Sequence, residues 1–242
     1  GKSPNIQKVE KPQITKVPLN REARSELHVK LANQETVKLK PKFLDYKTDL
    51  EFFNIGPLEV IYKENTDNDL FELTYHFNYG KNQDPKIALA ASLMNYVGAG
   101  NLSPEDLKTE FYKLGAGYNF STSTDGEKTQ ITLSGLSENM EASIKLFESL
   151  LENPVGTQDA LDKLVGRILK SRSDAKKNKN LILSRQLYSY AKYGEVNPAS
   201  NVLTSEELME VSVAELTDRI KELTKKQHRI LFYGNQDEKT LT

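Results

Sequence analysis

The order of strand and helix signals along the chain constrains its fold more than any other feature. Alternating apolar residues predict strands, and apolar residues at helical spacing behind a capping residue predict helices. From Gly56 onwards these signals follow the order β-β-α-α-β-β-α-α-α-α-α-β. Because strands and helices do not alternate regularly, a doubly wound parallel sheet does not fit. The order predicts an α+β fold, in which an antiparallel sheet has helices packed on one face.

Turn and capping residues delimit the individual elements. We predict strands at residues 58–62, 71–79, 118–123, 128–133 and 229–233. The first two are expected to pair as a hairpin across the polar turn of residues 64–69. We predict helices at residues 84–97, 103–114, 139–151, 158–174, 181–193, 204–209 and 213–224. The clearest start is Ser103-Pro104, since serine caps a helix and proline fits its first position.

The chain has 242 residues, enough for one large domain with an extended arm. Residues 1–54 contain a short helical stretch at 21–31 but no sustained period, and we interpret them as a linker or arm, with partial disorder as the alternative. Residues 55–236 form the predicted domain, and 237–242 would start a further connection. No signal peptide is visible. The chain begins with Gly1 rather than Met, so we expect an excised piece of a longer protein with a residue left from tag removal.

Charge and composition exclude several classes of function. The 33 basic and 34 acidic residues give a net charge of −1, which favours neither nucleic acid nor an anionic membrane as a partner. The absence of cysteine excludes disulfides, thiol catalysis and cysteine-ligated metals. No apolar run is long enough to predict a membrane span.

Four segments carry a resemblance to a known family. They are GPLEVIYKEN, FELTYHFNYG, LMNYVGAGNLSPEDLKTEFYKLGAGYNFSTSTD and LSENMEASIKLFESLLENP. In order and in landmarks they resemble one repeat of the insulinase/pitrilysin zinc metallopeptidases, over about residues 56–234. No single motif is diagnostic, so the resemblance rests on the serial agreement of these segments.

The resemblance implies that the zinc site of the family is absent. Active members carry His-x-x-Glu-His on the first helix, where the histidines bind zinc and the glutamate is the general base. The resemblance puts Leu89, Ser92 and Leu93 at these three positions. Leucine offers no lone pair to a metal, and serine is a poor base at neutral pH. The third ligand, a glutamate, would lie within residues 167–170, which contain no acid.

The resemblance also implies a role. Family members are commonly two similar halves closed around a chamber, one holding zinc and the other degenerate. This chain would be a non-catalytic structural and substrate-binding domain of the degenerate half, inactive alone, without metal or cofactor. Its partners would be a peptide substrate and the zinc-holding catalytic half, on the same polypeptide or a partner subunit. Bacterial relatives are often exported, which implies a periplasmic or exported location. The alternatives are a scaffold or assembly subunit from an inactive homologue, or an unrelated α+β binding domain.

Other candidate sites have simpler interpretations. His28, His76 and His228 lack the spacing of metal ligands. The acidic turn at 64–69 lacks the length and central glycine of a calcium loop. The loop at 98–100 lacks the Lys-Ser/Thr ending of a phosphate loop, and Ser92 lacks the surroundings of a hydrolase nucleophile.

Three further features concern contacts with partners. The basic run from Lys170 to Lys179 could meet an acidic peptide or partner, but we expect a solvated helix end and loop. Tyr188, Tyr190 and Tyr193 could face a partner or a peptide, but we expect them to pack in the core. A peptide could add to an exposed sheet edge, for which the strands at 58–62 and 118–123 are the candidates.

Overall fold

The computed structural model describes residues 13, 20, 22–36, 40–41, 43–197 and 199–241, without the side chains of Glu238 and Thr240. The chain divides into two units, Gly1–Phe43 and Leu44–Thr242. In the first unit, helix α1 (Glu26–Ala32) begins where the Ser25 hydroxyl accepts a hydrogen bond from the His28 amide. Much of the predicted arm lies outside the described residues.

Short strands and helices make up the second unit. Its strands are β1 (Glu51–Ile55), β2 (Leu58–Glu64), β3 (Leu70–Phe77), β4 (Gly98–Ala99), β5 (Ala116–Thr122), β6 (Thr129–Leu136), β7 (Pro154–Val155) and β8 (Arg229–Gly234). Its helices are α2 (Ile87–Met94), α3 (Pro104–Lys113), α4 (Met140–Glu152), α5 (Gln158–Ala175), α6 (Lys179–Leu181), α7 (Tyr188–Tyr193), α8 (Ser205–Glu210), α9 (Val213–Thr224) and α10 (Glu238–Leu241). A π-helical turn, Ile182–Leu187, joins α6 to α7.

Six strands form one sheet in the order β1-β2-β8-β3-β6-β5. Its pairs are antiparallel except β2 with β8, which is parallel. The predicted hairpin of β2 and β3 is therefore wrong, because β8 lies between them. The turn that joins β2 to β3 crosses the end of β8, where the Asn65 amide donates to the Gly234 carbonyl over 2.8 Å.

One face of the sheet carries the core, which confirms the α+β class with helices on one face. Inward-facing strand residues are nearly inaccessible to water, among them Val60, Phe71, Leu73, Ile131, Leu133 and Phe232. Helix α4 packs against β6, and α2 and α3 pack against β5. The alternate residues of the same strands face the other way and include the exposed Glu72, Gln130, Ser134 and Arg229. The alternation of the sequence thus separates a buried face from a polar one.

The start of the domain differs from the predicted boundary between residues 54 and 55. All of strand β1 except Ile55 lies on the arm side of that boundary, yet β1 pairs with β2 along its whole length. Phe53 and Ile55 pack against the core, whereas Phe52 and Asn54, on either side of Phe53, are exposed. Five residues are too short an alternation to be distinguished from a loop by pattern alone.

Candidate functional site

The predicted degenerate motif lies on α2, a helix that is apolar over most of its circumference. Leu89 and Leu93 are 4% and 0% exposed and belong to the core. Ser92 is half-buried, and its hydroxyl donates to the Ala88 carbonyl over 2.8 Å within the same helix. These side chains provide packing and one local hydrogen bond, and none of them is a metal ligand of the family's type.

An open cleft of about 500 Å³ lies between α2 and α5. It is lined by Ser92, Asn95, Tyr96, Leu164, Arg167, Ile168, Ser171 and Arg172. The residues from α5 recur at spacings of three and four, which places them on one side of that helix. Of the stretch 167–170, where the resemblance expects the third ligand, Arg167 and Ile168 reach the cleft. Ser92 and this stretch therefore meet in one place, as the resemblance implies for the corresponding positions.

Tyr96 and Arg167 are in direct contact across the cleft. The Arg167 guanidinium lies 4.6 Å from the centre of the Tyr96 ring, and its Nη1 donates to the Tyr96 hydroxyl over 3.1 Å. The Lys108 ammonium lies 5.8 Å from the same ring. Further along α5, Nη1 of Arg172 donates to the Leu203 carbonyl over 2.7 Å. The cleft thus holds fixed cations and no carboxylate among its lining residues. This cluster was missed at the sequence level, although Arg167 lies within the stretch searched for the third ligand.

The described residues contain no cluster of three or more histidine, aspartate or glutamate side chains that could hold a metal. His28 belongs to the first unit of the chain. His76 lies on β3, where Gln130 Nε2 is 3.3 Å from its Nδ1, and burial lowers its pKa. The His228 ring packs 4.7 Å from the ring of Phe77. These side chains offer no composite metal site in the part of the chain that the structure describes.

The other loops have structural roles. In the turn after β2, the buried Asn65 accepts hydrogen bonds from the Asp67 and Asn68 amides and from the Tyr233 hydroxyl. In the loop at residues 98–100, a Cβ on Gly98 would collide with the Leu102 carbonyl, and Gly100 has a φ of +56°. The glycines are thus required by a tight turn rather than by a phosphate.

Of the two strands predicted to accept a peptide, only one lies at an edge of the sheet. The segment 58–62 lies in β2, which is paired on both sides, so it offers no free edge. The segment 118–123 lies largely in β5, which ends the sheet beyond β6. Strand β5 also packs against α2, the helix that carries Ser92.

The tyrosines after α5 do not pack in the core, so that prediction is wrong. Tyr188, Tyr190 and Tyr193 are more than half exposed, as are Leu183 and Leu187. Helical spacing marks a face that avoids water, but it does not say whether the core or a partner covers that face. Of the basic residues from Lys170 to Lys179, the lysines are exposed, as predicted, whereas Arg172 is half-buried.

Several solved structures are similar to this chain. A peptidase M16 inactive domain from Pseudomonas fluorescens aligns with a TM-score of 0.65 at 18% identity, over 79% of this chain and 48% of that one. The periplasmic protease PqqL from Escherichia coli aligns with a TM-score of 0.64 at 15% identity, over 91% of this chain and 27% of that one. The ferredoxin protease FusC, in complex with Arabidopsis ferredoxin, aligns with a TM-score of 0.63 at 12% identity, over 86% and 25%. The chain has the fold of a peptidase M16 domain.

The resemblance to an inactive insulinase-like domain is thereby confirmed at the level of the fold. The likeness extends beyond the order of the elements to their arrangement in space. The insulinase-like domain spans between a quarter and about half of the length of these three structures. No protein-family model and no curated protein sequence matches the chain. Among the described residues, no helix is long and apolar enough to cross a lipid bilayer.

Proposed function

We propose that this chain is a non-catalytic structural and substrate-binding domain of a two-half zinc metallopeptidase that hydrolyses peptides. The observation that carries the proposal is the side-chain chemistry between α2 and α5. The resemblance assigns the family's zinc ligands and base to Leu89, Ser92, Leu93 and the stretch 167–170. The two leucines are buried, the Ser92 hydroxyl donates to the Ala88 carbonyl, and the stretch 167–170 brings the cationic Arg167 to the cleft. A site of this kind neither binds zinc nor activates water. The likeness to a peptidase M16 inactive domain supports the same role.

In this proposal the catalytic zinc belongs to another half of the parent protein. That half would lie on the same polypeptide or on a partner subunit. PqqL is described as periplasmic, which supports an exported location for the parent. Strand β5 would receive a peptide as an added strand, because it is a sheet edge that packs beside α2.

Metal content tests the missing site. The chain, purified without a histidine tag and dialysed against micromolar zinc, is expected to hold no stoichiometric zinc by plasma mass spectrometry. One tightly bound zinc per chain would overturn the assignment of Leu89, Ser92 and Leu93. The assay is calibrated by a known zinc peptidase carried through the same dialysis.

Peptide binding is tested separately by amide NMR. An extended peptide is expected to shift the amides of β5 and to leave those of β2 largely unmoved, since β2 is paired on both sides. Unmoved β5 amides at saturating peptide would sink the edge-strand mode. An intact parent protein without peptidase activity would point to the scaffold alternative.

A further inference from the structure

The charged residues that line the cleft between α2 and α5 are all cationic, and packing does not require this. Its lining includes two arginines, and its other members are neutral. Lys108 adds a third cation beside Tyr96. A guanidinium is a planar fork that matches a carboxylate through two parallel hydrogen bonds. Cations that line a cleft without a carboxylate among the lining residues favour an anionic ligand.

Both guanidiniums keep donors for a ligand. An arginine side chain carries five N–H groups. Among the described residues, Arg167 uses Nη1 on the Tyr96 hydroxyl, and Arg172 uses Nη1 on the Leu203 carbonyl. Neither guanidinium forms any other hydrogen bond or an ion pair with the described residues. The hydroxyls of Ser92 and Ser171 and the Asn95 amide line the same space and can accept or donate.

The arginines are also held in place before any ligand arrives. The Tyr96 ring fixes the plane of Arg167, and the Leu203 carbonyl fixes Arg172. Both project from α5, an 18-residue helix that packs against α2 and α8. Because these contacts already restrain the two long side chains, binding a ligand costs less side-chain entropy.

We propose that this cleft binds a carboxylate of the peptide substrate, with Arg167 as its main ligand and Arg172 as the second. The carboxylate belongs either to an acidic side chain or to the C-terminus of the peptide. This inference rests on the proposed substrate-binding function and names the substrate class, which is a peptide that presents a carboxylate to the cleft. A cleft of about 500 Å³ accommodates the end of one peptide or one side chain.

Three fluorescent peptides of one length separate the two sources. One has a neutral sequence and a free C-terminal carboxylate, one is amidated and carries a central glutamate, and one is amidated with glutamine in its place. Fluorescence anisotropy at low salt gives the affinity of each. At least one carboxylate peptide is expected to bind about tenfold or more tightly than the glutamine peptide, as for a hydrogen bond to a charged group. Equal affinity of all three would overturn the proposal.

Matched variants locate the effect. Arg167→Gln is expected to remove the preference for the carboxylate, and Arg167→Lys to retain part of it, since lysine keeps the charge but loses the fork. Lys170→Gln removes an exposed charge from the same helix outside the cleft and is expected to retain the preference. Melting temperatures confirm that each variant folds. An unchanged preference in Arg167→Gln would also overturn the proposal.

Amide NMR shows where the peptides bind, so it tests the cleft separately from the proposed substrate-binding function. Shifts at Tyr96 and Arg167 with the carboxylate peptides support the cleft. Binding with shifts confined to β5, equal for all three peptides, leaves the substrate-binding role standing and overturns the cleft. No binding by any peptide overturns both.

Discussion

The guanidinium of Arg219 donates to the carboxylate of Asp84 over 2.6 Å, between two residues 135 positions apart in the chain. The Asp84 side chain is only 12% exposed. Arg219 also donates to Glu215 over 3.0 Å, and Glu215 accepts from Lys86 over 2.6 Å. This network of four charges joins the turn before α2 to α9. It adds to the apolar packing that holds α2, one wall of the cleft, against α9.

Arg219→Met is expected to lower the free energy of unfolding by about 1–3 kcal/mol. Methionine keeps much of the length of the side chain, but it leaves the nearly buried Asp84 carboxylate without its charged partner. A buried charge that loses its partner is strongly destabilising, and the partial exposure of Arg219 moderates this. Urea unfolding measures the difference. Adding Asp84→Asn is expected to restore part of the loss, because it removes the unpaired charge.

A surface pair provides the control for this prediction. Lys225 and Glu222 are 2.6 Å apart, yet both side chains are about two-thirds exposed. Lys225→Met is expected to change the free energy of unfolding by less than about 0.5 kcal/mol. Equal effects of Arg219→Met and Lys225→Met would contradict the structural role assigned to the Asp84 network.

The same network predicts a loss of stability in acid. Hydrogen bonds from Lys86 and Arg219 hold the pKa of Glu215 below its ordinary value of 4.5. Because the folded-state pKa is lowered, this stabilisation is complete above about pH 4.5 and is lost as pH falls through the folded-state pKa. Glu215→Gln is expected to show a shallower decline of the unfolding free energy below pH 4.5. Glu195→Gln, in the exposed loop after α7, is the control and is expected to decline like the parent.

At alkaline pH, the ionisation of Tyr75 is expected to lower the unfolding free energy as pH rises. Burial, helped by the charge of Glu148, raises the pKa of Tyr75 from 10.0 to about 12. The ring is partly buried, packs against the core and stacks 6.4 Å from that of Phe147. Because the folded-state pKa is raised, the stabilisation is complete below pH 10 and is lost as pH rises towards 12.

Tyr75→Phe tests this dependence. Between pH 9 and 11 the parent should lose about 1 kcal/mol more unfolding free energy than the variant, as linkage requires for a shift of this size. Denaturant unfolding at several pH values measures the difference. Tyr112→Phe is the control, since Tyr112 is 86% exposed and should follow the parent. Parallel pH curves for the parent and Tyr75→Phe would contradict the burial of the hydroxyl.

Local chemistry made most elements predictable from the sequence. The Ser103 hydroxyl caps α3 by accepting from the Asp106 amide, as its type and place imply. The insertion of β8 between β2 and β3 was not predictable in the same way. Those two strands are neighbours in sequence, and neighbours usually pair. Only the long-range register of β8 with both strands decides otherwise.

The sequence predicts which zinc-ligand residues the candidate site lacks, but it does not predict the cationic contacts that the site contains. The absence of ligand-type residues on α2 can be read from the sequence. The contact of Arg167 with Tyr96 joins residues 71 positions apart and depends on how closely α5 approaches α2. Sequence spacing carries no information on that distance, so the cationic cleft emerges only from the fold.

The helix formed by α6, the π-helical turn and α7 gives the last prediction. Leu183 and Tyr190 are 63% and 54% exposed, so their substitution by glutamine creates no cavity and keeps a good helix former. We expect Leu183→Gln and Tyr190→Gln to change the unfolding free energy by less than about 0.5 kcal/mol each. Phe147→Ala, at a fully buried ring, should cost about 3–5 kcal/mol. A loss above about 2 kcal/mol from either glutamine variant would mean that this helix packs against the core in solution. A small loss of unfolding free energy in both variants would show that the core does not cover these apolar side chains. A short helix gains most of its stability from packing, so another surface would then be expected to cover them.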